Sequence, residues 1–170
     1  WVVWVTPEVS NMTVNHETRS VYTVLRHNEL SWQDVVIGCE TLGVGWRLTS
    51  AATKEEEQLV KSLLADSGVG VPIALTRTEG HANFEWGGSD DPFTYWNWAD
   101  SYPWELPPGI MNAENSTNNC TFISTAEGGK WVNEYCDVAM FTTSVCKKDR
   151  YLLSGTLTFI LNHTGIAYNA

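Results

Sequence analysis

Two sets of side chains in this chain have the types and spacing to do chemistry. The first is the four cysteines, Cys39, Cys120, Cys136 and Cys146. Their number is even and none sits in a Cys-x-x-Cys pair, the spacing that holds zinc or runs redox exchange, so disulfides are their expected use. Four half-cystines allow three pairings. The second set lies between Gly87 and Asn119, where acids (Asp90, Asp91, Asp100, Glu105, Glu114) are mixed with rings (Phe93, Tyr95, Trp96, Trp98, Tyr102, Trp104). Such acids could ligate a hard cation, which wants about six to eight oxygens, several of them charged. A pair such as Glu105 and Glu114 is also of the kind that cleaves glycosidic bonds. The rings offer something else: Trp and Tyr concentrate binding energy at protein interfaces and stack on sugar rings.

Other catalytic chemistry finds little support. The four histidines, His16, His27, His81 and His163, show no metal-ligand spacing, and there is neither a Gly-x-Ser-x-Gly elbow nor a phosphate-binding loop. The expectation is a protein that binds and does not catalyse. Asp90, Asp91, Asn97 and Asp100 read as turn formers whose side chains bond to their own backbone.

The elements that must position these residues flank them. From Cys120 onward come an apolar run (Thr121 to Ile123), a Gly128-Gly129 turn, Trp131 five residues before Cys136, and a second apolar run into Cys146. These read as short strands stitched by disulfides. Upstream, Val21 to Leu25 is a first core strand. Ser31 caps a helix, with Asp34 three residues on and Trp32, Val35, Val36 and Cys39 as its inward face; Gly43 and Gly45 end it. A second helix starts near Thr53, where Glu56 completes a capping box and Leu59, Val60, Leu63 and Leu64 recur at helical spacing, until Ser67-Gly68 and Gly70. Its acidic triple, Glu55-Glu56-Glu57, reads as a solvated first turn that complements the helix dipole. From Val71 onward the pattern is short strands and loops, which makes the class α+β. The stretch from Gly87 to Asn119 has little strand pattern, and so long an irregular segment in a compact domain is usually functional.

Taken together, the Trp-x-x-x-x-Cys element, Ser31-Trp32-Gln33-Asp34 leading to Cys39, Pro72-Ile73-Ala74-Leu75 followed by Phe84-Glu85-Trp86, and Tyr95-Trp96-Asn97-Trp98 resemble the C-type lectin family. The match runs from about Val21 to Lys148. It implies a C-type lectin-like fold in its shorter form: two helices flanking small antiparallel sheets, a long ligand loop, and pairings Cys39–Cys146 and Cys120–Cys136. If Cys39 joins Cys146, the bond closes a loop of roughly a hundred residues, for which the chain-entropy model gives about 4–5 kcal/mol. The resemblance further implies that Trp96 and Trp98 pack beneath the loop, while Tyr102 and Trp104 point outward.

Sugar-binding relatives hold calcium with a Glu-Pro-Asn or Gln-Pro-Asp triplet, a Glu before the penultimate cysteine, and an Asn-Asp pair on the tryptophan strand. Here those positions fall on Tyr102-Pro103-Trp104, Asn118 and Val132-Asn133. Only Asn118 and Asn133 keep an oxygen and neither is charged, so no cofactor is expected and calcium is disfavoured. Glu105, Glu114 and Glu134 could rescue a cation in altered geometry. Pro103 is expected to be cis, as in the family's triplet. The expected ligand-binding residues are Tyr102, Pro103, Trp104, Glu105, Asn118, Asn133 and Glu134, with Pro107-Pro108-Gly109 as a rigid turn.

Composition sets the partners. At 170 residues, 43% hydrophobic and 18% charged, the chain supports one domain with a sizeable core. A net charge of −10 argues against nucleic acid and anionic membranes. No stretch approaches the roughly 20 apolar residues of a membrane span, and the amino end shows no basic-then-apolar leader pattern, so Trp1 is expected to be a processed terminus or a cut from something larger. Sequons at Asn11, Asn115, Asn119 and Asn162, with the even cysteine count, favour glycosylation and a secreted or ectodomain setting.

Three parts are expected: a β-prone extension at 1–20, the lectin-like domain at 21–148 and a second β-prone extension at 149–170. In the extensions, Trp1 to Val5 and Leu152 to Leu161 need cover, from each other, from the core's edge, or from a neighbouring subunit by strand addition. The leading expectation is an extracellular recognition module that binds a protein or glycan through the aromatic loop without calcium. The alternatives are a structural subunit of an extracellular assembly, a homo-oligomer or filament joined by terminal strands, and a calcium-dependent lectin.

Overall fold

The computed structural model describes residues 8–9, 12–15, 19–63, 68–77, 83–103 and 120–149. In chain order these form β1 (Glu8–Val9), β2 (Thr13–Asn15), β3 (Ser20–Leu30), α1 (Trp32–Glu40), β4 (Trp46–Leu48), α2 (Lys54–Ser62), β5 (Gly70–Thr76), β6 (Glu85–Trp86), β7 (Cys120–Ser124), β8 (Lys130–Glu134) and β9 (Phe141–Asp149). One sheet has the order β1-β3-β9-β4, with β2 also on β3, and the other has the order β6-β5-β7-β8. All pairings within them are antiparallel, as the α+β reading expects.

Both helices begin as their capping residues dictate. Ser31 Oγ accepts from the Asp34 amide at 3.1 Å, and Thr53 Oγ1 accepts from the Glu56 amide at 3.1 Å, each satisfying a donor that the helix start leaves over. α1 buries Val35 and Cys39, four residues apart on one face. β5 is buried from Gly70 to Leu75, the mark of a strand covered on both sides. Gly70 is obligatory there: its φ is +154°, and a Cβ would sit 2.3 Å from the Ile123 carbonyl oxygen.

Alternation along the strands divides the core in two. Trp131, Ile73, Leu75 and Val145 gather with Tyr22 and Val60 in one cluster; Phe122, Val132, Ala74 and Phe141 gather with Leu25 and Leu48 in the other. The cysteines pair as Cys39–Cys146, tying α1 to β9 across 107 residues, and Cys120–Cys136, closing the β7–β8 hairpin.

Two details depart from the sequence reading, the length of the first core strand and the capping role of Glu56. The first core strand runs past Val21 to Leu25 in both directions, from Ser20 to Leu30, because β9 pairs with it from Asp149 to Phe141 through an irregularity between Arg26 and Leu30. The described part of the amino-terminal extension covers the core's own edge, β1 on Leu25 and Arg26 and β2 on Ser20 to Tyr22. Glu56 does not complete its capping box by reaching back to Thr53; its carboxylate accepts from the Ala52 amide at 2.9 Å and turns inward. Trp1 to Val5, Leu152 to Leu161 and the sequons at Asn11, Asn115, Asn119 and Asn162 lie outside the described residues.

Candidate functional site

The site is built on Trp131 of β8, which is fully buried. Trp86, Tyr95 and Trp98 meet it edge-on, with ring centroids 5.7 to 5.8 Å away, a geometry that places ring edges against ring faces. The backbone follows the same anchor. The Trp131 amide donates to the Asn97 carbonyl at 2.8 Å and the Ala99 amide donates to the Trp131 carbonyl at 2.9 Å, so the loop from Asn97 to Ala99 runs parallel to β8.

Glu57 completes the anchor. Its carboxylate accepts from Tyr95 Oη at 2.5 Å, Asn97 Nδ2 at 2.8 Å and Trp131 Nε1 at 3.1 Å, and pairs with Lys61 Nζ at 2.6 Å. Burial opposes ionisation of this group, but the hydrogen bonds from Lys61, Tyr95 and Asn97 outweigh it and hold the carboxyl below its ordinary value. Burial, and then the bond to Glu57, push the Tyr95 hydroxyl above its own.

The neighbouring Glu56 serves the other sheet. It accepts from Tyr22 Oη at 2.9 Å and from Ser50 Oγ at 3.2 Å, and pairs with the buried Lys147 at 2.7 Å. The solvated-first-turn reading is therefore wrong for Glu56 and Glu57, each only 2% exposed; of the three, Glu55 alone is exposed. Residues adjacent on a helix point about 100° apart, and here both directions meet a sheet. The donors that compensate them stand 34 to 91 residues away, at Tyr22 and Lys147 for Glu56 and at Tyr95, Asn97 and Trp131 for Glu57. The sequence conceals the partner as well: Lys147 opens the charged run Lys147-Lys148-Asp149-Arg150, which reads as a solvated chain exit, yet Lys147 is buried.

Beyond Ala99 the loop turns toward the expected ligand residues. Asp100 pairs with Lys130 at 3.1 Å, Ser101 adopts a left-handed φ of +70°, and the Tyr102 amide donates to the Ala99 carbonyl at 3.1 Å. The Tyr102–Pro103 peptide is cis, as the resemblance implied. Tyr102 is half-buried and packs on the Phe122–Val132 cluster, not wholly outward. On β8, Val132 and Asn133 are buried, and Glu134 Oε1 accepts from the Tyr135 amide at 3.0 Å. Trp104, Glu105 and Asn118 lie outside the described residues; of the others, Tyr102 joins the cluster of Val132, which precedes Asn133 and Glu134 on β8.

Two further expectations change. Trp98 packs against the core, but Trp96 is 61% exposed, because alternation along an extended segment sends neighbouring side chains to opposite sides. Asn97 and Asp91 do not serve simply as turn formers. Asn97 spends its amide on Glu57, and Asp91 accepts from Ser89 and Ser50 with Lys147 3.8 Å away.

These charges set a pH dependence. Asp149 is opposed by burial but held low by Arg47 at 2.7 Å, like Glu57, while burial alone lowers His27. A group whose folded value is depressed binds its proton first in the unfolded chain, so each contributes stability that acid removes. The expected thermal midpoint is highest above the ordinary histidine value of 6.5. It begins to fall below that through His27, and falls further below the ordinary carboxylate values of 4.5 and 3.8 as Glu57 and Asp149 are titrated. Melting curves from pH 8 to pH 3 check it; a midpoint that rises on acidification contradicts it.

No family model matches the chain, and no curated protein matches it in sequence. Solved structures do. Human lithostathine is similar over 82% of this chain and 97% of its own, with a TM-score of 0.63 and 21% identity. The mouse scavenger receptor C-type lectin carbohydrate-recognition domain is similar over 84% and 96%, at 0.62 and 22%. A calcium-independent type II antifreeze protein is similar over 84% and 96%, at 0.59 and 17%. At such identities it is the fold that is shared. With its element order, its two sheets and its bridges Cys39–Cys146 and Cys120–Cys136, this chain has the fold of a C-type lectin-like domain.

Proposed function

We propose that the protein is an extracellular recognition module that binds a protein or glycan through its aromatic long loop, without the calcium ion of sugar-binding relatives. One observation carries this reading. Where those relatives converge anionic oxygens, β8 offers a buried valine and a buried neutral amide, Val132 and Asn133, and the loop offers the half-buried ring of Tyr102. Calcium would be left short of charged ligands there. Among the described residues, no group of three or more His, Cys, Asp or Glu side chains is placed to hold a metal. A similar structure is described as calcium-independent, so the fold is compatible with recognition that does not use the ion.

Two disulfides and four sequons support an extracellular setting. The fold's similar structures are not enzymes by their names, in keeping with binding in place of catalysis. The assembly alternative draws its support from the terminal segments; the described part of the first one pairs with this chain's own β3.

The test is a glycan array and a pull-down, each with and without chelator, on wild type and on Tyr102→Ala with Trp104→Ala. Tyr102 sits half on the core, so a modest fall in melting temperature, about 2–5 °C, accompanies the expected loss of ligand. Undiminished binding by the double variant rejects Tyr102 and Trp104 as the contact residues of the loop. Binding that chelator abolishes returns the protein to the calcium-dependent class.

A further inference from the structure

The loop before Pro103 is held residue by residue on one side. Phe93 meets Trp86 edge-on at 6.3 Å, Tyr95 and Asn97 bond to Glu57, and Trp98 packs between Phe84 at 5.0 Å and Trp131 at 5.8 Å. Between these anchors, Trp96 faces solvent, 61% exposed, with its ring tilted against Phe93 at 6.4 Å. Core packing gives no reason for a tryptophan here, since most of its apolar area stays in water. An exposed ring on a backbone fixed on both sides loses little freedom when a partner covers it, which is how interface hot spots gain their energy.

Charge indicates what covers it. From Thr78 to Gly129 the chain has no lysine or arginine, and Asp90, Asp91 and Asp100 flank Trp96 in sequence; Arg77, just before this stretch, lies 5.2 Å over the Phe84 ring. Asp91 and Asp100 are partly compensated by Arg47, Lys147 and Lys130, but Asp90 and the nearby Glu55 are exposed. Glu55 is close enough to act on Tyr95. Tyr95 Oη and Asn97 Nδ2, the donors on either side of Trp96, are already spent on Glu57, and the polar groups left along this segment include the carboxylates of Asp90 and Asp100. A cation needs only the ring face and a negative surround.

We infer that Trp96 is a contact residue for a basic protein surface, taking an arginine or lysine head group over its indole. This rests on the recognition reading above and adds a partner class to it. The probes are acetylated hexa-arginine, hexa-lysine and hexa-glutamate peptides, titrated by fluorescence polarisation at 0.15 M salt. The proteins are wild type, Trp96→Ala, Trp96→Phe and the Tyr102→Ala/Trp104→Ala variant.

Wild type binds the arginine peptide, Trp96→Ala binds it roughly tenfold more weakly at unchanged net charge, and Trp96→Phe falls between them. The Trp96→Ala melting temperature stays within about 2 °C, because the side chain is largely exposed. Equal affinity in wild type and Trp96→Ala overturns the inference, as does arginine peptide binding no better than the glutamate control. If Trp96→Ala is silent while the Tyr102/Trp104 variant loses a ligand on the arrays, the inference falls and the loop reading stands. If Trp96→Ala loses the arginine peptide while the Tyr102/Trp104 variant keeps every ligand, Trp96 stands and the choice of Tyr102 and Trp104 falls.

Discussion

Replacing Glu57 by alanine is expected to lower the unfolding free energy by about 3–5 kcal/mol, because three donors and a cation lose one shared acceptor. Trp131 Nε1 is the costliest of them, sealed in the core with Glu57 as its hydrogen-bond acceptor at 3.1 Å. Tyr95 Oη and Asn97 Nδ2 are half-buried and recover part of their loss from water. Lys61 is exposed enough to resolvate, so its pair with Glu57 adds little. Glu57→Gln keeps the shape and one acceptor oxygen, and should cost about half as much. Urea unfolding separates the two, and a loss below about 1 kcal/mol for the alanine variant would show that the loop is fastened elsewhere. A cycle with Tyr95→Phe sharpens the test: removing the hydroxyl should matter less once its acceptor is gone.

The second large effect concerns the bridge between α1 and β9. Converting Cys39 and Cys146 together to alanine should cost about 4–5 kcal/mol, and converting Cys120 and Cys136 about 3 kcal/mol. The order follows from the loops that the bonds close, 107 residues against 16. In the unfolded chain the longer loop forfeits more freedom. Both sulfurs of the first pair are also fully buried, so their removal leaves a packing defect between Val35 and Leu48 in the second core cluster. Guanidinium titrations of the two double variants decide it; equal costs, or a reversed order, would contradict the account.

Much of the architecture could be read from local signals. Ser31 with Asp34 and Thr53 with Glu56 announce helix starts because capping is a matter of three or four residues. The order of tryptophans and cysteines carried the pairing of distant strands through family resemblance, where spacing alone allowed three pairings. The candidate site was less legible. Glu56 and Glu57 look like solvent-facing charges in any window of the sequence, and only the fold shows Tyr22, Lys147, Tyr95 and Trp131 converging on them. Trp96 and Trp98 differ by one step of a two-residue alternation. Such a register is invisible in an irregular loop until β8 fixes it through Asn97 and Ala99.

Glu56 and Glu57 hold one sheet each, from a single turn of α2: Tyr22 and Lys147 lie in the sheet of β3 and β9, Trp131 in that of β8. Fraying of the helix at that turn breaks a tie to each sheet together. Slow amide protons in β3 and β7, though they belong to separate ladders, then exchange through a common opening, and the two halves of the molecule melt as one cooperative unit.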